Sequence, residues 1–554
     1  MARVARNADD GDQQVRFSAS WAYQLLTSRE YKNIAISSEL RKNNPDGREK
    51  QQDIESNRSP PTTDDEKPSD PNEIDWDGPD DPHNPRNWPT WRRSMLVGVI
   101  TCVVFSTSIA SSAIAPAVPQ ILKEFNTTNE EIGTLIVTIE LLGTGVGPII
   151  MGPMSEIVGR RIVYNCANVG FSAFSIGCAL TPSLSGLVIM RFLQGCSASC
   201  SLNNAGGTIS DLVSVNRRGF AMSMYSMGFL LGPAVGPIAG SFLAAAKGWR
   251  WVFWLLLIVV SEPLHQFHRH ETSIGSQQLQ NGTMGLVCAL TYTETYAPVI
   301  LERKVKKLRK STGNPALYAK GQRQLPATAV LKRAISRPVK MFLFCPVVTG
   351  LAVYNAVVYG FTYLLFSTFS VVFEGQYHYG EDRLGLVYLG LAIGFLISLS
   401  IASVANDRTH KHLSEKHGAP KPEYRLGSLL YGAIAIPIGF FIYGWTTEKN
   451  VNSAVPIVAT GLVGFGVMFT FIPFNVYMID AYTKYAASAI AAGNILRSIS
   501  AAILPLAGIP LYDRLGYGWG NSLLAFVSLG LGVMSLVFRR YGEEWRNKFP
   551  IQLD

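Results

Sequence analysis

Hydrophobic residues are grouped into long runs along this chain, and polar residues are concentrated between the runs and before residue 94. A helix needs about 20 apolar residues to cross a bilayer, and most of the runs reach that length. Runs of this kind exclude an ordinary soluble protein. The pattern predicts an all-α membrane protein with twelve transmembrane helices in two six-helix bundles. The predicted spans are 94–116, 130–152, 162–180, 185–208, 219–243, an interrupted sixth, 339–366, 384–405, 426–445, 453–478, 486–510 and 521–538.

The domain organisation follows from where the polar stretches fall. Polar residues 1–93 predict a disordered cytosolic N-terminal tail. The two bundles are predicted at 94–300 and 339–540, separated by a basic cytosolic loop at 301–338, and 541–554 forms a short cytosolic tail. Residues 301–340 carry twelve Lys or Arg and one acid, Glu302.

Positive charge recurs on alternate loops, for example at Arg160 and Arg161, Arg217 and Arg218, and Arg408. Cytosolic loops are enriched in Lys and Arg, so this alternation places both termini in the cytosol. A basic segment that is merely solvated is the alternative, but it would not recur periodically. All seven Cys lie in or near apolar runs, so neither a disulfide framework nor a metal site is expected.

The sixth span is interrupted at 261–280. Ten apolar residues at 251–260 and a mostly apolar run at 281–292 would together give one span if the twenty residues between them were absent. A metal-binding His265, His268 and His270 cluster is one interpretation. A retained intron in the gene model is another, since Val-Ser and Leu-Gln at the two edges can be encoded as splice sites. A real insertion that damages the protein is the third.

Besides Glu130, Glu131 and Lys340 at the first positions of their spans, three charged residues lie inside predicted spans: Glu140, Arg191 and Arg497. A charge at membrane depth is costly, so it is usually paired and functional. Arg191 shares a helical face with Gln194 and Gly195 and is predicted to tune a partner carboxylate; a snorkelling arginine at a helix end is the alternative. Glu140 is the candidate proton carrier, with a neutral, hydrogen-bonded Glu as the alternative.

Small residues mark two further segments. A turn after the second span is rich in glycine and charge, and the fifth span repeats glycine every fourth residue with proline between. Small residues allow helices to pack closely in lipid. The residues are Gly152, Glu156, Gly159, Arg160 and Arg161 in the turn, and Gly228, Gly232, Pro233, Gly236, Pro237 and Gly240 in the span.

Polar and aromatic residues on spans 4 and 7 are candidate substrate ligands. Aromatic rings in a central cavity would stack on planar or cationic compounds, although an interfacial aromatic belt or simple packing explains them at least as well. The candidates are Asn203, Asn204, Tyr354, Asn355, Tyr359 and Tyr363.

The turn, the Arg191 segment and the glycine-proline span, in this order, resemble the three signature motifs of the major facilitator superfamily. Asn84-Pro85-Arg86-Asn87-Trp88, Glu294-Thr295-Tyr296-Ala297-Pro298 and Tyr485-Ala486-Ala487-Ser488-Ala489 extend the resemblance to the fungal twelve-span drug:proton antiporters over about 84–540. The chain departs from that family at 261–280 and at Glu140, which is more often uncharged. Glu156 replaces the Asp that is more usual in the superfamily, a replacement common in the fungal drug-exporter branch.

The resemblance implies specific roles for the motifs. The turn would latch the two halves in one state, the glycine-proline motif would pack spans 5 and 8 and seal against proton leak, and Arg497 would be structural or gating. The implied function is export of hydrophobic or cationic compounds, such as antifungals, polyamines or self-made toxins, driven by inward proton flow.

The predicted protein is therefore a plasma-membrane transporter and not an enzyme. Its partners are a small organic substrate, protons and the lipid bilayer; it needs no cofactor, metal or nucleic acid and acts as a monomer. The rival interpretations are a non-transporting nutrient sensor of the same fold, a proton-coupled uptake symporter, and a non-functional product of the insertion.

Overall fold

The computed structural model describes residues 72–78, 80–213, 215–258, 293–320, 327–380, 383–418 and 421–549. The predicted insertion at 261–280, with its three histidines, lies outside the described residues, as do residues 1–71. The fold that follows is that of the part from Asn72 onward.

The described chain is dominated by long helices, with one two-stranded sheet. The helices are α1 (Thr90–Ala113), α2 (Val118–Glu124), α3 (Glu130–Ile157), α4 (Arg160–Leu180), α5 (Leu184–Leu212), α6 (Val215–Lys247), α7 (Ala297–Thr312), α8 (Ala327–Phe344), α9 (Pro346–Tyr377), α10 (Leu384–Val387), α11 (Leu389–His417), α12 (Leu429–Glu448), α13 (Ala454–Ala481), α14 (Ala486–Ile503) and α15 (Gly508–Lys548), and the strands are β1 (Glu73–Ile74) and β2 (Tyr318–Ala319).

The helices confirm the all-α membrane fold. Within the described residues, eight helical segments are long and apolar enough to cross a membrane, and a pair bent by 42° between Leu399 and Val404 makes a ninth. One of the eight segments, Ala486–Lys548, contains the eleventh and twelfth predicted spans. Gly516, with φ 72° and ψ 174°, breaks the helix between them. Every predicted span except the sixth overlaps one or two described helices. Of the sixth, residues 250–258 are described and are helical.

Many large apolar side chains point outward. Val458, Leu180 and Leu343 are 70%, 66% and 65% exposed, and they are three of many such residues. A soluble monomer rarely exposes apolar surface on this scale. The outer surface is therefore suited to lipid contact.

The seventh span begins later than predicted. Helix α8 ends at Phe344, and α9 begins at Pro346 rather than near 339. Proline favours the first turn of a helix and forces the preceding residue out of the helical region, and Cys345 is indeed extended, with φ −109° and ψ 96°. The apolar pattern could not show this break because both sides of it are hydrophobic.

The basic segment and the end of the polar tail pair with each other. Strand β1 runs parallel to β2, and Lys304 and Lys320 form 2.6 Å ion pairs with Asp77 and Asp75. Helix α7 places Leu301 and Val305 on one face, where Ile74 and Trp76 pack on the same apolar cluster. The described parts of the predicted tail and loop thus contain regular structure. The apolar face of the amphipathic helix α7 is buried when the end of the tail packs against it. Helix α15 likewise continues to Lys548, into the predicted C-terminal tail.

The glycines of α6 pack against α1. A methyl group at Gly232 would overlap Ser108, and one at Gly240 would overlap the carbonyl oxygen of Ala113. The eighth span also meets this motif, as the resemblance implies. A Cβ at Gly385 would lie 3.3 Å from Ile238 Cα, and the Gly385 N–H donates to Ser241 Oγ at 3.0 Å.

Gly236→Val should destabilise the protein by about 1–3 kcal/mol, because overpacking of a close helix contact costs this much. A Cβ at Gly236 would lie 2.7 Å from Ser112 Oγ and 2.8 Å from the Ile109 carbonyl oxygen. Gly98→Val on α1 is the control, since no atom of the described chain lies within 4 Å of a Cβ there. The melting temperature in detergent should fall for Gly236→Val well beyond the control; equal melting temperatures would show that this contact tolerates bulk.

Candidate functional site

A buried ion pair joins α3 and α5. Arg191 Nη1 lies 2.7 Å from Glu140 Oε2, and both side chains are 0% exposed. Two sequence-predicted residues are thereby brought together, and the arginine does have a carboxylate partner. Breaking a buried pair by removing one member is strongly destabilising, because the other charge is left uncompensated.

Arg191 is also bonded to backbone on two neighbouring helices. It donates to the carbonyl oxygens of Ala110 at 3.0 Å, Ile136 at 3.2 Å and Val137 at 3.3 Å, and to Gln194 Oε1 at 3.1 Å. A snorkelling arginine would reach toward the membrane surface, so that interpretation is wrong. Arg191 links α1, α3 and α5 at a fully buried point.

Glu140 depends on the ion pair alone. Neither carboxylate oxygen accepts a hydrogen bond of normal geometry from the described residues, although the pair is in contact. The contact requires close helices: a methyl at Gly195 would overlap the Glu140 carbonyl oxygen. Gln194 completes the cluster by donating to Ser175 Oγ at 2.7 Å. Glu140 is thus the weakly held member of the pair, with acceptor capacity to spare.

The turn after α3 is fastened by Arg160. Its backbone N–H donates to Glu294 Oε1 at 3.0 Å, and its guanidinium donates to Ser155 Oγ at 2.8 Å and Asp211 Oδ2 at 3.4 Å. Gly159 has a φ of +110°, which favours glycine, and any side chain there would collide with Glu294. Of the other predicted residues in this segment, Glu156 is exposed, Gly152 faces open space and Arg161 is half-buried.

Arg497 on α14 lies among three aromatic rings. Its guanidinium carbon is 4.7 Å from the centre of the Tyr359 ring, 5.0 Å from Phe471 and 5.2 Å from Phe229. Tyr359 and Phe471 belong to the second half of the chain, and Phe229 lies on α6 in the first. The guanidinium therefore lies where the two halves meet.

Tyr363 is another contact between the halves. Its hydroxyl lies 2.9 Å from Ser111 Oγ on α1, and its ring centre is 5.1 Å from that of Tyr359. Nearby, Ser370 Oγ donates to the Ala115 carbonyl oxygen at 3.3 Å. The halves are held together at the end of the molecule opposite the β1–β2 sheet.

The remaining predicted substrate ligands are more dispersed. Tyr354 is buried in the second half, close to Gly532 on α15. Asn203 is exposed and donates to the Ser199 carbonyl oxygen at 3.0 Å. Asn204 is buried and donates to the Met151 carbonyl oxygen at 3.4 Å, so it lies in helix packing. Asn355 is buried, and its Nδ2 has no partner in the described chain.

Sequence reasoning missed several partners. Asp211 and Glu294, which bind Arg160, were not predicted as its partners, although Glu294 begins the Glu294-Thr295-Tyr296-Ala297-Pro298 motif. Phe229 and Phe471 were also missed, since isolated Phe residues in apolar runs resemble any packing residue. Their roles arise from the meeting of helices that are far apart in sequence.

These features define a helical membrane protein with charged residues buried between its helices. The family model for the Major Facilitator Superfamily matches residues 100–261 and 279–505, and the chain belongs to that superfamily. The unmatched residues 262–278 fall within the predicted insertion.

Curated relatives agree with this assignment. The chain is 40% identical to efflux pump radE of Floropilus chiversii, over 88% of each chain, and 42% identical to the MFS-type transporter atr4 of Stereocaulon alpinum, over 87% of this chain and 83% of that one. Among solved structures, a partially occluded inward-open form of the xylose transporter XylE from E. coli aligns with a TM-score of 0.55 at 15% identity, over 83% of this chain and 98% of that one. This last likeness concerns the fold. The protein is thus a multi-pass membrane transporter of the superfamily, and its relatives include fungal efflux pumps.

Proposed function

We propose that the protein is a proton-coupled antiporter that exports small organic compounds by alternating access. The observation that carries the proposal is the fully buried Glu140–Arg191 pair, which supplies a titratable group inside the helices. The relative radE, which is named an efflux pump, supports the direction of transport. The proposed setting is the plasma membrane, with both termini in the cytosol and a monomer as the working unit.

In the proposed cycle, Glu140 alternates between two states. The ionised carboxylate of Glu140 pairs with Arg191. When Glu140 is protonated, the ion pair is lost and the guanidinium of Arg191 interacts with the carbonyl oxygens of α1 and α3 instead. Because those helices belong to the first half, protonation alters the contacts that hold this half together. A proton arriving from the acidic outer side would thus be exchanged for substrate leaving the cytosol.

The contacts between the halves support an inward-facing or closed arrangement. The Ser111–Tyr363 and Ser370–Ala115 contacts lie at the end opposite the cytosolic sheet, which is the outer side in the proposed orientation. Opening toward the outside must break them. The Arg160 network lies at the other end and would hold the cytosolic turn in place.

Transport in everted vesicles tests the proposal. Such vesicles are prepared from cells expressing the full chain and are given one of two xanthene dyes, cationic rhodamine 6G or anionic sulforhodamine B. Dye uptake should be faster when the interior of the vesicles is acidic. A protonophore should abolish the increase. Gradient-independent uptake of both dyes, or none above vesicles that lack the protein, would contradict proton-coupled export.

The transcript tests the insertion. If 261–280 is a retained intron, most transcripts should lack the corresponding twenty codons, that is 60 nucleotides. The skipped match at 262–278 supports this interpretation. Reverse transcription and sequencing across the segment decides, and transcripts that uniformly keep it would show a genuine insertion.

A further inference from the structure

Arg497 is buried without a counter-charge among the described residues. It is 8% exposed, and no carboxylate within the described residues lies within ion-pair distance of it. Arg191, by contrast, is paired with Glu140 at 2.7 Å. A buried charge that lacks a partner is costly, so the position of Arg497 points to a partner that is present during part of the working cycle.

Part of the hydrogen-bonding capacity of Arg497 is unused within the described residues. Its Nε and Nη1 are buried and have no hydrogen-bond partner in the described chain. The faces of Tyr359, Phe229 and Phe471 attract the positive charge, but they do not supply lone-pair acceptors for the in-plane N–H groups. A guanidinium with free in-plane donors is suited to a carboxylate or a similar anion.

Further donors lie on the same two helices. Asn355, one turn before Tyr359 on α9, has an unpartnered Nδ2, and Ser500, one turn after Arg497 on α14, has an unpartnered Oγ. Residues three or four apart share a helical face. These neighbours add neutral hydrogen-bond donors to the cation and add no negative charge.

The aromatic rings around Arg497 define the rest of the site. All three rings are half-buried, whereas Arg497 itself is almost wholly buried. The rings are therefore the part of this site that a ligand can reach first. Phe229 comes from the first half of the chain, and its ring centre is 6.0 Å from that of Phe471 in the second. When the halves separate, the gap between these rings widens and admits a planar group beside the guanidinium.

We propose that Arg497 is the specificity-determining residue of a substrate site for aromatic organic anions. The acidic group accepts hydrogen bonds from the guanidinium, and the ring of the ligand stacks among Tyr359, Phe229 and Phe471. This inference rests on the proposed export function and narrows its substrate class. It departs from the expectation of cationic substrates, because a second cation beside Arg497 would be repelled.

Calorimetric binding to the purified full chain in lipid nanodiscs tests the site without any proton gradient. Three compounds share the naphthalene ring system and differ in charge: 1-naphthoate, 1-naphthylmethanol and 1-naphthylmethylammonium. The wild type should bind the anion at least about tenfold more tightly than the alcohol, and the ammonium compound most weakly. Acetate, which has the carboxylate without the ring, should bind at least about tenfold more weakly than naphthoate.

The variants assign the preference to one residue. Arg497→Gln should remove the preference for naphthoate while leaving the affinity for the alcohol within about twofold, which shows that the site is intact. Arg497→Lys should retain part of the preference, and Arg250→Gln, which removes a half-exposed arginine paired with Glu124, should retain all of it. Equal binding of the three compounds to the wild type, absence of naphthoate binding, or an unchanged preference in Arg497→Gln would overturn the inference.

This result and that of the vesicle assay can differ. Gradient-driven dye uptake without an anion preference in nanodiscs would keep the exporter and reject the anion site. An Arg497-dependent anion preference without gradient-driven uptake would keep the site and reject proton-coupled export.

Discussion

Glu140→Gln should abolish gradient-driven transport and leave exchange of substrate intact. The amide keeps the size and hydrogen-bonding capacity of the side chain but cannot carry a proton at neutral pH. In everted vesicles the acid-interior stimulation of dye uptake should disappear. Exchange between external dye and preloaded dye, measured per folded transporter because the unpaired Arg191 lowers stability, should continue at a rate close to that of the wild type.

Glu131→Gln is the matched control, because Glu131 lies on the same helix, α3, and is exposed. It should behave as the wild type in both assays. Undiminished gradient-driven uptake by Glu140→Gln would assign the proton site to another residue and leave Glu140 as the structural partner of Arg191.

Arg191→Ala should eliminate transport and also reduce the yield of folded protein. The sequence alone predicts a variant that reaches the membrane and fails to transport. The structure changes the first part of that expectation, because Arg191 bonds three backbone carbonyls on α1 and α3 besides Glu140. Removing one member of a buried ion pair costs about 3–5 kcal/mol, so the melting temperature should fall markedly.

A double variant separates the two roles of the pair. Arg191→Gln with Glu140→Gln leaves no unpaired charge, so its melting temperature should recover part of the loss, while gradient-driven uptake should stay absent. Arg250→Ala is the control: its pair with Glu124 is partly exposed, and such pairs contribute about 0–1 kcal/mol. A double variant less stable than Arg191→Ala alone would show that charge pairing is not what the two residues contribute to the fold.

The sequence predicts the helices well because burial in lipid demands long apolar runs whatever the tertiary packing. It also identifies Glu140, Arg191 and Arg497, since any charge within such a run is conspicuous. The sequence cannot show that Glu140 pairs with Arg191. The two residues are fifty-one positions apart, and their contact depends on the close packing that Gly195 permits.

The errors have equally local causes. The break at Cys345 lies between two apolar stretches, so hydropathy alone misplaces the start of the seventh span. The glycines of α6 predict a close helix contact correctly, but a stripe of small residues does not specify its partners, which include α1 as well as the eighth span. The β1–β2 pairing joins segments more than two hundred residues apart, and two-residue strands leave no periodic pattern.

The direction of proton movement tests the central claim most directly. Everted vesicles in a lightly buffered medium, with no imposed gradient, are given sulforhodamine B while a pH electrode records the medium. Antiport predicts acidification, because a proton leaves the lumen as each dye molecule enters, and Glu140→Gln vesicles should show none. Alkalinisation of the medium, or dye entry without any change of pH, would contradict a proton-coupled exporter.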